Sequence, residues 1–99
     1  MNLKIQSIHF NADQKLIDYI SEKIEKIDHF FDQTVHTDIY LKLEKLSSEI
    51  HEKVVEIKVS LPGKVLFSTE SSKAFEGSFD LALDHMVKQV KRHKEKIRG

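Results

Sequence analysis

Three stretches of alternating apolar and polar residues follow one another in the middle of this chain, between two segments of helical periodicity. The alternating stretches cover residues 35–44, 55–61 and 64–70. An alternation with a period of two buries one face of a strand and leaves the other face in water, as in an antiparallel meander. Helices on either side of such a meander must cover its apolar face, so this order strongly limits the possible folds.

A further strand is predicted ahead of the first helical segment, at residues 2–10. Leu3 and Ile5 fall on one of its faces, and Ile8 and Phe10 fall on the other. In the last alternating stretch the two faces consist of odd and even positions. The odd face holds Val65, Phe67 and Thr69, and the even face holds Lys64, Leu66, Ser68 and Glu70. Pro62-Gly63 before this stretch is a strong turn signal.

The first helical segment is predicted to be one amphipathic helix of about 16–18 residues that ends between His29 and Gln33. Apolar residues recur in it at helical spacing: Leu16, Ile17, Ile20, Ile24, Ile27 and Phe31. Either Asn11 or Asp13 can cap its N-terminus, and Asn11 with Gln14 has the spacing of a capping box.

The final helix is predicted to begin near Ser72 or Lys73 and to continue to the end of the chain. Its apolar stripe is formed by Phe75, Phe79, Leu83, Met86, Val90 and Ile97, with Ala82 and Val87 beside it. The stripe thins after Val90, so we expect the last two turns to extend beyond the sheet. The order β-α-β-β-β-α predicts one α+β domain over residues 1–99, a four-stranded sheet with two helices packed on one face.

The composition argues against several kinds of functional site. The chain has no cysteine, which excludes disulfides, thiolate metal sites and cysteine nucleophiles. Its six histidines form no metal-binding motif, and its three glycines are too scattered for a phosphate-binding loop. We therefore predict no enzyme activity, no cofactor and no metal. The absence of a signal peptide or a membrane-length apolar run predicts a soluble cytoplasmic protein.

A formal net charge of zero conceals a strongly basic end, defined as residues 85–99. The basic end has six basic residues and one acid, hence a charge of +5, whereas residues 1–84 have ten basic and fifteen acidic residues, hence −5. The six basic residues are Lys88, Lys91, Arg92, Lys94, Lys96 and Arg98. A basic helix end on an acidic body indicates an edge that binds a polyanion.

The spacing of these cations supports that interpretation. Lys88, Arg92 and Lys96 recur every four residues on one side of the helix. Cations also stabilise a helix C-terminus through its dipole, by about 0.3–1 kcal/mol each, but one or two would suffice for that. Lys23 and Lys26 on the first helix can extend the basic surface, or can form local ion pairs with the interleaved acids of that helix.

Three segments resemble the ribosome hibernation promoting factors, the family that includes protein Y. They are residues 23–32 (KIEKIDHFFD), 39–45 (IYLKLEK) and 89–98 (QVKRHKEKIR), in the same order of helices and strands. The resemblance implies a protein that binds the small ribosomal subunit through ribosomal RNA. It also implies that the protein occludes the channel for mRNA and tRNA and inhibits translation in stationary phase or stress.

The resemblance also implies which residues contact RNA. By position these are Lys23, Lys26, Lys88, Lys91, Arg92, Lys94 and Lys96. His85 stands where relatives often have lysine, so the resemblance implies a weaker or pH-dependent contact there. No membrane and no small-molecule substrate is implied.

The chain resembles the short branch of the family, because it ends at Gly99 without an acidic tail or an added C-terminal domain. Whether it pairs ribosomes, alone or with a second factor, is left open. Two other interpretations also stay open. One is a generic duplex-RNA-binding module, and the other is an interaction domain whose basic end docks on an acidic protein.

Overall fold

The computed structural model describes residues 2–31, 36–47 and 51–98. Its elements follow the predicted order, except that the first helix is divided in two. They are β1 (Asn2–Ile8), α1 (Gln14–Ile24), α2 (Lys26–Phe30), β2 (His36–Lys45), β3 (His51–Leu61), β4 (Lys64–Ser72) and α3 (Phe75–Arg98). Of the helices in these ranges, none is long and apolar enough to cross a bilayer.

The four strands form one mixed sheet in the order β1-β2-β3-β4. The last three strands form the predicted antiparallel meander, in which Ile39 lies opposite Ile57. β1 runs parallel to β2 and places Ile5 opposite Ile39, because the helical crossover returns the chain to the same end of the sheet. The predicted α+β fold, with helices covering one face of a four-stranded sheet, is confirmed.

The core lies between the helices and the sheet and ends before the last turns of α3. It contains fully buried residues from both layers: Ile20, Ile27, Ile39, Leu41, Val55, Ile57, Val59, Phe79, Met86 and Val90. Val90 is fully buried, whereas Ile97 is 58% exposed. The helix therefore extends beyond the core after Val90, as the thinning stripe predicted.

Buried serines connect α3 to the sheet. The Ser68 hydroxyl on β4 donates to the carbonyl of Ala82 at 2.8 Å. The Ser78 hydroxyl on α3 donates to the carbonyl of Lys53 on β3 at 2.6 Å. These bonds satisfy polar groups inside an otherwise apolar layer and thereby position α3 over the sheet.

The two faces of β4 differ in burial in a way that alternation alone did not decide. Leu66 and Ser68 are buried against the helices, whereas Val65 and Phe67 are 44% and 55% exposed on the outer face. The turn at Pro62-Gly63, with Gly63 at φ 73°, pairs Val59 with Leu66. Directly paired residues share a face of the sheet, so Leu66 follows the buried Val59.

The predicted end of the first strand and the predicted start of the final helix are wrong. The first strand was predicted over residues 2–10 but ends at Ile8, because His9 has a φ of 69°, which is incompatible with an extended strand. The final helix begins at Phe75 and not at Ser72 or Lys73, because pairing with β3 continues β4 to Ser72.

The prediction of one uninterrupted first helix is also wrong. α1 ends at Ile24 and α2 begins at Lys26, with Glu25 between them. The amide of Asp28 donates to the carbonyl of Glu25 at 3.0 Å, a bond of three-residue spacing that tightens the chain locally. Ile24 and Ile27 are both buried across this break, so the apolar spacing fits either arrangement.

Asp13, and not Asn11, caps the N-terminus of α1. Removal of the Asp13 carboxylate is expected to destabilise the fold. A carboxylate oxygen of Asp13 accepts from the amide of Leu16 at 2.8 Å, while Gln14 instead donates to Asp18 at 2.8 Å. We expect Asp13→Ala to lower the free energy of unfolding by about 0.5–2 kcal/mol, measured by urea denaturation. Asn11→Ala is the control, and an equal loss in both variants would contradict the assignment.

Candidate nucleic-acid interface

The basic residues of α3 point away from the core and divide between two sides of the helix. One side faces β4, and the other faces α2. Lys88, Lys91, Arg92, Lys96 and Arg98 are exposed, and Lys94 is half-buried. The predicted cluster therefore exists on the helix, but as two adjoining surfaces.

The surface beside β4 contains a cation that the sequence analysis did not assign. Arg92 and Lys96 border a groove of about 390 Å³ together with Lys64. Lys64 is the first residue of β4, directly after the turn that joins it to β3. In the sequence, only the turn signal at Pro62-Gly63 pointed to the position of Lys64, since the turn determines where β4 begins. The position of Lys64 beside α3 depends on tertiary packing.

Gln89 and His85 hold this side of α3 against β4. The Gln89 side chain donates to the carbonyl of Phe67 at 2.6 Å, which satisfies a backbone acceptor on the edge strand. His85 Nδ1 lies 2.8 Å from a carboxylate oxygen of Glu70. His85 borders a shallow groove with Lys88 and Arg92, and the Glu70 carboxylate lies beside it.

The surface beside α2 combines cations with aromatic rings. Lys91 Nζ lies 4.3 Å from the centroid of the Phe30 ring, which is cation–π geometry. Lys94 and Arg98 border a hollow of about 310 Å³ lined by Phe30 and Phe31. The short helix α2 thus supports the last turns of α3 where the sheet no longer does.

Lys23 of α1 and Lys26 of α2 lie in a third hollow, a cleft of about 500 Å³ between α3 and the helices α1 and α2. Lys23 Nζ lies 3.1 Å from Asp80 Oδ1 and donates to the Tyr19 hydroxyl at 2.7 Å. The Tyr19 hydroxyl in turn donates to Asp80 at 2.8 Å. The hydrogen bond to Tyr19 and then the Asp80 carboxylate raise the pKa of Lys23 above its usual value.

The cleft differs in charge from the basic end. Four carboxylates border it, those of Glu22, Glu25, Asp80 and Asp84. The sequence offered a second interpretation, in which Lys23 forms an ion pair with an acid of its own helix. In the structure, Lys23 instead forms its ion pair with Asp80 on α3. The structure therefore places the predicted first-helix contacts in a cleft with four carboxylates and two lysines, next to a surface that has excess positive charge.

Phosphate binding is the chemistry that these side chains support best. Exposed lysine and arginine side chains bind phosphates of a nucleic acid by ion pairing and release of counterions. Within residues 2–31, 36–47 and 51–98, no group of three or more potential ligands could hold a metal ion.

Comparison with known proteins connects this arrangement to a family. The family described as Sigma 54 modulation protein / S30EA ribosomal protein matches residues 3–98. A ribosome hibernation promoting factor of Pseudomonas putida is 28% identical over 96 residues, covering 97% of this chain and 89% of that protein. A ribosome hibernation promotion factor of Bacillus subtilis is 26% identical, and the match covers 98% of this chain but only 50% of that protein.

Solved structures show the same fold. A ribosomal subunit interface protein from Coxiella burnetii superposes with a TM-score of 0.85 at 20% identity, covering 96% of this chain and 99% of that one. The N-terminal domain of Thermus thermophilus protein Y superposes with a TM-score of 0.79 at 26% identity, covering 94% and 99%. The match over residues 3–98 confirms the resemblance found in the sequence, and the chain belongs to the Sigma 54 modulation protein / S30EA ribosomal protein family.

Proposed function

We propose that this protein is a ribosome hibernation factor. It binds the small ribosomal subunit through ribosomal RNA, occludes the channel for mRNA and tRNA, and inhibits translation in stationary phase or stress. Family membership and the relatives named ribosome hibernation promoting factor support this proposal. The family is a class of ribosome-binding factors without enzymatic activity, which agrees with the predicted lack of catalysis. Its place of action is the cytoplasm, where ribosomes lie.

The observation that carries the proposal is the extension of basic α3 beyond the core. Val90 is the last fully buried residue of the helix, and the cations after it lie on the side toward β4 and on the side toward α2. A helix end of this kind can reach phosphates on two strands or two turns of a folded RNA. Because Gln89 and Phe30 hold it to β4 and α2, it is presented as a rigid element, which favours a defined binding site over loose association.

We assign the RNA contacts to the two surfaces of α3 first. Lys88, Arg92 and Lys96 act with Lys64 on the β4 side, and Lys91 and Lys94 act on the α2 side. Lys23, Lys26 and His85 contribute less, because carboxylates lie beside them in the free protein. The steric part of the mechanism is then occlusion, with residues 1–99 acting as one domain anchored through its basic end.

Binding to purified small subunits is expected to weaken steeply with salt. If about five phosphates are neutralised, the logarithm of the binding constant should fall with the logarithm of salt concentration with a slope of about −4. Co-sedimentation across a series of potassium chloride concentrations measures this slope. A flat response would contradict an interface built on phosphates.

Two comparisons separate this proposal from its alternatives. A generic duplex-RNA binder would bind free duplex RNA as tightly as intact subunits, whereas a hibernation factor would prefer the subunits. An interaction domain that docks on an acidic protein would keep its partner after ribonuclease treatment. A sucrose gradient of stationary-phase lysate, with detection of this protein, shows in addition whether it migrates with single ribosomes or with dimers.

A further inference from the structure

One cation assigned to RNA binding already has an anionic partner in the free protein. Lys23 Nζ lies 3.1 Å from Asp80 Oδ1 and 2.7 Å from the Tyr19 hydroxyl, which itself donates to Asp80 at 2.8 Å. Lys23 also lies over the Tyr19 ring, 4.4 Å from its centroid. Three side chains from α1 and α3 thus form a closed set of contacts around one positive charge.

We propose that the Asp80 carboxylate takes the position beside Lys23 that an RNA phosphate would otherwise take. RNA must therefore displace this carboxylate before it can bind in the α1–α3 cleft. The inference rests on the proposed function and concerns the same surface. A carboxylate and a phosphate bind an ammonium group through the same charge-assisted hydrogen bonds. Asp80 therefore acts as an internal competitor that lowers affinity at this part of the interface.

The exposure of the pair makes displacement feasible. The side chains of Lys23 and Asp80 are each 45% exposed, and the cleft beside them is open to solvent. Exposed ion pairs contribute little to stability, so a phosphate with support from the neighbouring basic end can replace Asp80. The Tyr19 ring packs edge-on against the buried Phe79, with centroids 6.3 Å apart, which keeps the hydroxyl in place when the carboxylate is released.

The distribution of charge along α3 shows where this competition acts. Asp80 and Asp84 border the cleft near α1, whereas Lys94 and Arg98 border the hollow near α2, farther along the same helix. A polyanion that contacts only the last turns of α3 does not meet Asp80, although the Asp28 carboxylate borders the hollow beside Lys94 and Arg98. One that also reaches Lys23 must displace Asp80, so the cleft adds affinity only for an RNA whose phosphate reaches it in a suitable position.

Removing the charge of Asp80 should strengthen RNA binding. Asp80→Asn keeps an oxygen that can accept from Tyr19 but removes the competing charge, so we expect affinity for small subunits to rise about two- to fivefold. The salt slope should become steeper by about 0.7–0.9. The reason is that in the parent protein a phosphate bound at Lys23 frees Asp80, which attracts a counterion of its own, so this contact releases no counterion overall. Without the Asp80 charge, the same contact releases one.

Asp84→Asn is the matched control for the general effect of removing an acid. Asp84 is exposed in the same cleft on the same helix, and it forms no ion pair within the part of the chain that the structure describes. A gain specific to Asp80 must therefore exceed the gain in Asp84→Asn. Urea denaturation of each variant verifies that the fold is retained.

A double-mutant cycle with Lys23→Gln completes the test. If Asp80 acts through Lys23, the extra gain from Asp80→Asn disappears when Lys23 is already glutamine. Equal gains in Asp80→Asn and Asp84→Asn, an undiminished gain without Lys23, or weaker binding of Asp80→Asn would each overturn the inference alone. Failure of the parent protein to bind subunits would instead overturn the proposed function, and this inference with it.

Discussion

Reversing the charges of Lys88 and Arg92 together is expected to abolish co-sedimentation with small ribosomal subunits while the fold stays intact. Both side chains are exposed on α3, and both border the shallow groove that also contains His85. A hydrogen bond to a charged group contributes about 1.5–3 kcal/mol. Loss of two such contacts lowers affinity by at least about a hundredfold, before repulsion between the new carboxylates and RNA is added.

The control for Lys88→Glu with Arg92→Glu is a double variant with the same change in net charge elsewhere. Lys15 and Lys73 are exposed near the N-terminal ends of α1 and α3, at the opposite end of α3 from its last turns. We expect Lys15→Glu with Lys73→Glu to bind nearly as well as the parent protein. If both double variants lose binding equally, net charge governs the interaction, and if the first still co-sediments, the assigned surface is wrong.

Phe79→Ala is expected to reduce stability more than any surface substitution, by about 3–5 kcal/mol. Phe79 is fully buried in the core, at the point where α3 meets Tyr19 of α1. Domains of this size have about 5–15 kcal/mol of total stability. The variant should therefore unfold at a much lower urea concentration, or fail to accumulate in folded form.

Phe67→Ala removes the same atoms from the exposed face of β4 and serves as the comparison. Phe67 is 55% exposed, so its truncation should change the free energy of unfolding by less than about 1 kcal/mol. Urea denaturation of both variants measures the difference. A large loss in Phe67→Ala would contradict the assignment of the buried face to Leu66 and Ser68.

These two phenylalanines illustrate how far sequence patterns predicted the fold. Phe79 belongs to a helical stripe that reads unambiguously as core, because apolar residues recur on only one side of the helix. Phe67 belongs to an alternating stretch with an apolar residue on each face, so alternation identifies two faces but not which one is buried. The pairing of Leu66 with Val59 decides this, and pairing is a property of the assembled sheet.

The break in the first helix had no signal in the sequence for a similar reason. Ile24 and Ile27 are three residues apart, a spacing that suits a continuous helix as well as a helix interrupted at Glu25. Neither a proline nor a glycine marks the break. Its consequence for the interface is considerable, since α2 places Phe30 beneath Lys91.

The candidate interface, like the fold, was predicted from the sequence only in part. The charge of the basic end follows from composition and spacing, which indicate a site for a polyanion, whereas the assignment of its cations to RNA is what the family resemblance implies. Lys64 was missed because it is distant in sequence and reaches Arg92 and Lys96 only when β4 packs beside α3. The partner of Lys23 was missed because Asp80 lies on another helix.

The amino-acid sequence by itself determined the order of helices and strands, the apolar stripes, the excess of positive charge at one end, and the family. Each of these depends on residues that are close in sequence or on overall similarity. The tertiary structure alone decided which face of β4 is buried, how the cations of α3 divide between two surfaces, and that Asp80 neutralises Lys23. These features arise from contacts between segments far apart in the chain, where periodicity and local charge carry no information.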